Sequence, residues 1–295
     1  MKSLPKIDAH HHLWDLDNNP YPWLQGPMTP RNYGDYSEIR RNYLYDDFKR
    51  DSEPHNVRKS VHVQANWDSA DPVGETRWVQ QVADKHDVAQ AIVAHADLSA
   101  PDVEETLRAH CEFGNMRGIR QIIGHTDDPD CARPNPACSP DFRRGYALLE
   151  RFGLSFDLQA YARQVADFLQ VAEHHPEVSV IVCHTGFPYH RDEAGLAAWR
   201  EAMASLASLP NAFAKLSGPA MVMPDWTVQS FGPFVHETIE LFGPSRCMFA
   251  SNLPPDRLSK SYDEIFESFY VWAADYTEQE RAQLFHDTAE RAYRI

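Results

Sequence analysis

Ile7-Asp8-Ala9-His10-His11-His12-Leu13-Trp14 is the stretch on which the fold turns. Read as a strand, it alternates, so side chains two apart share a face and His10 and His12 point the same way. Ala9 and His11 then face the opposite side. Two imidazoles at that spacing can bind one cation, or present a base and a hydrogen-bond donor to one small molecule. A short histidine tract can also be a merely solvated segment. Asp8, Leu13 and Trp14 argue instead that this one belongs to the fold.

Working outward, strand patterns recur at residues 60–65, 88–94, 116–123, 154–159, 178–184, 212–216 and 246–251. Helical patterns fall between them at 75–86, 101–113, 141–152, 165–174, 195–206 and 235–242, with more helix from 262 onward. The cleanest strand is Val178-Ser179-Val180-Ile181-Val182-Cys183-His184. Apolar strands alternating with helices predict a parallel sheet covered on both faces. Eight such units predict a (β/α)8 TIM barrel, one α/β domain over residues 1–295. A doubly wound open sheet is the competing architecture, but no Gly-x-Gly-x-x-Gly follows any strand.

At 295 residues the chain can bury a large core without disulfide or metal staples. Its net charge of −15 argues against nucleic acid or an anionic membrane as partner, while leaving room for a local basic pocket. The five cysteines are scattered without zinc-finger spacing, which suits free thiols in a reducing compartment. Cys183 and Cys247 lie in apolar runs and read as core. No signal-peptide pattern and no membrane-length apolar run is present, so a soluble, cytoplasmic protein is expected. The expected partner is a small-molecule substrate, with a homodimer as the assembly to look for.

In a TIM barrel the reacting groups come from the C-terminal ends of the strands and the loops after them. That filter selects His10 and His12 from the first strand, Gln64 with Asn66 and Trp67 after the second, and His95 and Asp97 after the third. It adds Arg120 from the fourth, Asp157 and Gln159 from the fifth, His184 from the sixth, Lys215 from the seventh and Asn252 from the eighth. Arg120, if buried, must be paired, either with substrate or in a salt bridge to Asp157 or Asp97. Lys215 is equally balanced between substrate and a structural ion pair. Asp8 is expected to orient His10, and His62 and His95 to serve structure. The aromatic, proline-rich loop at 18–30 and the loop at 127–140 are expected to shape the pocket.

The first-strand His-x-His, His184 and the eighth-strand position Asn252 resemble the amidohydrolase superfamily. The likeness is to its TIM-barrel lactonases, which act on sugar-acid lactones, pyrone dicarboxylate and sulfomuconolactone. Tyr21-Pro22-Trp23-Leu24, Val63-Gln64-Ala65, Glu75-Thr76-Arg77-Trp78, Arg117-Gly118-Ile119-Arg120 and Lys215-Leu216-Ser217-Gly218 extend it across nearly the whole chain. The resemblance implies a hydrolase opening a small lactone, with His10, His12, His184 and Asn252 catalytic. Gln64, Asn66, Arg120, Asp157, Gln159 and Lys215 would hold substrate. It implies one divalent metal, zinc in the first place, on His10, His12 and His184, though the group also has metal-independent members. The pattern departs at Asn252, where an Asp is usual: a neutral amide takes no proton from water and ligates poorly. Asp256, four residues on, could reach back. A non-oxidative decarboxylase and a non-catalytic ligand-binding relative are the other readings.

Overall fold

A computed structural model describes residues 1–295. Eight strands form one sheet in sequence order: β1 (Lys6–His11), β2 (Val57–Val63), β3 (Ala91–Ala94), β4 (Met116–Ile119), β5 (Ser155–Leu158), β6 (Val180–Val182), β7 (Ala212–Leu216) and β8 (Cys247–Phe249). Each pairs in parallel with the next. The sheet closes where His11 bridges Leu253 in parallel. There Asn252 N donates to His10 O at 2.8 Å and His12 N to Leu253 O at 2.8 Å. Asp8 reinforces the seam: its Oδ1 accepts from Ser251 N at 2.9 Å and its Oδ2 from Tyr262 Oη at 3.0 Å. The expected TIM barrel is present.

Alternation divides the strand side chains. Ile7, Ala9, Val61, Val63, Ala91, Val93, Ile181 and Met248 form one apolar cluster with Ala289, Ala292 and Tyr293. The last three come from the helix Thr288–Tyr293. The alternate residues, such as Phe156, Val180, Val182, Leu216 and Phe249, join the larger core beneath the helices. Interior and exterior layers of this kind are what a filled barrel requires.

The first strand does not alternate simply. Between the pairs Asp8↔Ser60 and His11↔His62, two residues of β1 (Ala9 and His10) are set against one of β2 (Val61), a β-bulge. A bulge re-aims one side chain, commonly beside an active site. Here it accompanies an interior cluster containing Ala9 and a His10 ring that meets Lys215 of β7. The strand also ends at His11, so His12 is delivered by the chain leaving it rather than by the pleat. His11 faces outward as expected, stacked on Phe48 at 4.1 Å.

Most helix boundaries shift modestly, Val228–Phe242 begins seven residues before its expected start, and Tyr45–Ser52 and the single turns Pro22–Gln25 and Pro219–Val222 were unanticipated. Tyr45–Ser52 buries only Phe48 and Ser52, so its apolar stripe is too thin to read in the sequence. All five cysteines are free, with Cys183 and Cys247 buried. No helix is long and apolar enough to cross a membrane.

Candidate active site

The strands deliver their terminal residues in sharp backbone turns. Asn66, His184, Thr185 and Asn252, with φ of 58°, 54°, 54° and 53°, all occupy the left-handed region. Asn tolerates that region; for His and Thr it costs energy that surrounding packing must offset, about 1–3 kcal/mol each. The turn after β6 is made possible by Gly218: a Cβ there would stand 2.5 Å from His184 Nδ1. The β7 loop therefore lies directly against the His184 ring, and Ser217 Oγ meets its Nδ1 at 3.1 Å.

A cavity of about 210 Å³ opens at this end of the barrel. His12, Asn66, Arg120, Gln159, His184 and Asn252 line it, six of the ten residues expected at the site. His10 lies against them, its ring centroid 5.0 Å from His12 and 4.7 Å from His184. The other three are corrected to supporting roles. Lys215 and Asp157 form a fully buried ion pair at 2.6 Å, with Tyr293 Oη donating to the same carboxylate at 2.8 Å. Gln64 turns away from substrate: its Oε1 accepts from Asn66 N at 2.7 Å and shapes that turn. Asp8 meets the backbone N of His10 at 3.3 Å rather than its ring. His62 is structural, as expected, with Nδ1 accepting from Leu13 N at 3.3 Å.

The three imidazoles are neutral. Burial, reinforced by nearby cations, holds His10, His12 and His184 well below the usual histidine range. His12 directs Nδ1–H to Val63 O at 2.6 Å, which leaves Nε2 with its lone pair. Ser217 Oγ engages Nδ1 of His184, and Nε2 is an acceptor in the tautomer whose Nδ1–H donates to that hydroxyl. His10 faces Lys215 Nζ at 3.3 Å on Nδ1 and Arg120 Nη1 at 3.4 Å on Nε2. A neutral ring has one acceptor nitrogen, so only one of these cations can donate to it at a time.

Arg120 is 4% exposed. Its neighbours are the carbonyl of Gln64, Gln159 Oε1 at 3.5 Å and His10, and its Nε has no partner. Asp157, one of the two ion-pair partners expected for it, is bonded by Lys215 instead. Asn252 also lines the cavity, its carboxamide lying beside the Asp256 carboxyl. Asp256 does reach back, but beneath the wall. Fully buried, it accepts from Ala220 N at 2.8 Å, and burial pushes its carboxyl up to about 7 despite the Asn252 and backbone amides beside it.

A divalent ion would require deprotonated donors and compensating negative charge. The side chains whose ligand atoms fall within 4.8 Å of one another are His10, Cys183 and His184; His12 is not among them. Burial pushes the Cys183 thiol up to about 12. Cations stand at both nitrogens of His10, and Asn252 brings no charge. The expected trio of His10, His12 and His184 is thus not arranged as a ligand set, and these residues as placed do not fit a divalent metal.

The two loops expected to shape the pocket do reach it, through Trp23 and Asp127, but sequence reasoning missed the neighbouring residues Arg31, Tyr33, His125 and Thr126. Trp23, Arg31 and Tyr33 arrive from the loop after β1, and His125, Thr126 and Asp127 from the loop after β4. The proline-rich stretches that bracket these residues were the available signal.

Comparison with known proteins agrees with this architecture. The family described as amidohydrolase matches residues 7–295. An uncharacterized protein, y4mH, from Sinorhizobium fredii is 42% identical over 302 residues, spanning 100% of both chains. An L-fucono-1,5-lactonase from Burkholderia multivorans is 29% identical over 303 residues, covering 98% of this chain and 96% of its own. The crystal structure of a Burkholderia multivorans amidohydrolase with bound zinc superposes with a TM-score of 0.82 at 27% identity, covering 99% of this chain and 100% of its own.

Proposed function

The chain belongs to the amidohydrolase family, and from that premise we propose that it hydrolyses a small lactone with neutral imidazole as base and Arg120 as electrophile. The observation that carries this reading is the pairing of functions on one cavity. The imidazoles of His12 and His184 stand beside the guanidinium of Arg120, whose buried Nε has no partner, and beside the Asn252 carboxamide. Buried donors left unpaired are costly unless something fills them, and a developing oxyanion is such a group.

The ester carbonyl would lie against Arg120 and Asn252. His184 Nε2 takes a proton from water as the water oxygen bonds to the carbonyl carbon. The tetrahedral oxyanion is held by the guanidinium and the carboxamide, and its collapse breaks the ring C–O bond. The departing ring oxygen takes the proton from the imidazolium, giving the open hydroxy acid. Ser217 and the Gly218 turn hold the His184 ring in place. The Lys215–Asp157–Tyr293 cluster supports His10 from below. The lactonase relative supports ester hydrolysis on this scaffold.

The test is proton release at constant pH with a panel of sugar-acid and carboxylated γ- and δ-lactones. Turnover that depends on His184 and Arg120 is expected. An enzyme that opens none of them but releases carbon dioxide from aromatic acids would replace this reading with decarboxylation.

A further inference from the structure

The cavity carries a second cation that the proposed chemistry does not use. Arg31 comes from the loop after β1, and that loop is pinned in place. Asn32 N donates to Thr126 O at 2.9 Å and Asn32 Nδ2 to Tyr161 Oη at 3.1 Å. The guanidinium lies over the Trp23 ring at 5.9 Å, and Trp23 in turn donates Nε1–H to Ala65 O at 2.7 Å. A cation–π approach at this distance uses the ring face and leaves the edge donors of the guanidinium free.

Those donors are largely unfilled. Nη1 meets Thr126 Oγ1 at a long 3.4 Å, and Nε, though buried, has no partner. Asp127 Oδ2 is 3.8 Å away, beyond hydrogen-bond reach. That carboxylate already takes Arg133 on both oxygens, each at 3.0 Å. Arg133 thus holds Asp127 bidentately while Arg31 only approaches it, its side chain 16% exposed. A planar guanidinium fork with free edge donors matches a carboxylate, which has two oxygens and one charge. A phosphate dianion would keep a charge unmatched.

We infer that Arg31, set over Trp23 and joined by Thr126, is a carboxylate subsite that selects lactones bearing a carboxylate away from the scissile ester. The inference rests on the lactonase reading for the identity of the ligand, while the subsite itself can be tested by binding alone. It also explains how a chain of net charge −15 can take an anionic substrate. The anion would meet two arginines within the cavity, Arg31 nearer solvent and Arg120 at the imidazoles.

The probes are γ- and δ-lactones with a carboxymethyl or carboxyethyl arm, each paired with its neutral primary amide. In the wild-type protein the acid should bind by calorimetry at least about tenfold more tightly than the amide, the scale of a charge-assisted bidentate contact. The same preference should appear in kcat/KM. Arg31→Gln should bring both ratios close to one, and Arg31→Lys should restore part of the preference. Equal binding of acid and amide by the wild-type protein would overturn the subsite. So would a preference that survives Arg31→Gln, or equal losses in the Gln and Lys variants. If no probe is ring-opened but the acid preference in binding depends on Arg31, the lactonase reading fails and the subsite stands.

Discussion

Replacing Asp256 with Asn should make the protein more tolerant of alkaline pH. The Asp256 carboxyl is fully buried, and burial raises its pKa from 3.8 to about 7. The groups favouring its charged form are the Asn252 carboxamide and the Ala220 and Gly218 amides. A carboxyl whose folded pKa lies above its unfolded one binds more protons folded than unfolded. Its contribution is therefore at its best below about pH 4 and is lost as pH rises through about 7. The full shift corresponds to about 4 kcal/mol, and the part falling between about pH 5 and about pH 8 is roughly 2–3 kcal/mol. Asn keeps an oxygen to accept from Ala220 N but does not titrate. Urea unfolding of both proteins at the two pH values measures the difference. Asp256→Asn should gain on the wild type by roughly 2–3 kcal/mol between about pH 5 and about pH 8. A gap between the proteins that stays constant with pH would show that Asp256 is ionised throughout, and the argument from burial would fail.

Three further perturbations test the site. Lys215→Met leaves Asp157 buried without its cation and should cost about 3–5 kcal/mol in urea unfolding, recovered in large part when Asp157→Leu is added; a single variant as stable as the wild type would contradict the buried ion pair. Arg120→Ala should lower kcat about 100-fold or more with a smaller effect on KM, as befits a donor to the transition state; a change confined to KM would make it a ground-state contact. Asn252→Asp places a carboxylate across the cavity from His12 and His184, so it should raise the lower pKa of the pH–rate profile and tighten zinc binding in calorimetric titration, while prolonged chelation leaves wild-type turnover unchanged. Wild-type activity lost on chelation and restored by zinc would mean that Arg120 gives way to an ion at His10.

The barrel was legible because its strands are short apolar runs with helices between them, and because the strand-end rule converts that order into a site. His184 is the clearest case, since six mostly apolar residues carry it to the rim. The pairing of His10 with His12 was read correctly for a reason that was only half right. Simple alternation ignored the bulge and the strand end at His11, and neither leaves a mark in the pattern of residue types. Lys215, Asp157 and Gln64 illustrate a second limit. A polar residue at a strand end looks the same in sequence whether it faces substrate or another buried polar group. Only the register across the barrel set Lys215 against Asp157 and Tyr293. Arg31 was missed because its position depends on a loop held from outside, through Asn32 to Thr126 and Tyr161, contacts spanning 94 and 129 residues.

The central claim is that water, activated by a neutral imidazole, opens a lactone at Arg120. It is tested most directly by turnover of a ring-openable lactone in oxygen-18 water, with the product analysed by mass spectrometry. The account predicts one labelled oxygen per turnover, located in the new carboxylate, at a rate reduced about 100-fold or more in His184→Ala. A product that has lost carbon dioxide, or labelling at the alcohol carbon, or an undiminished rate in a folded His184→Ala protein would contradict it.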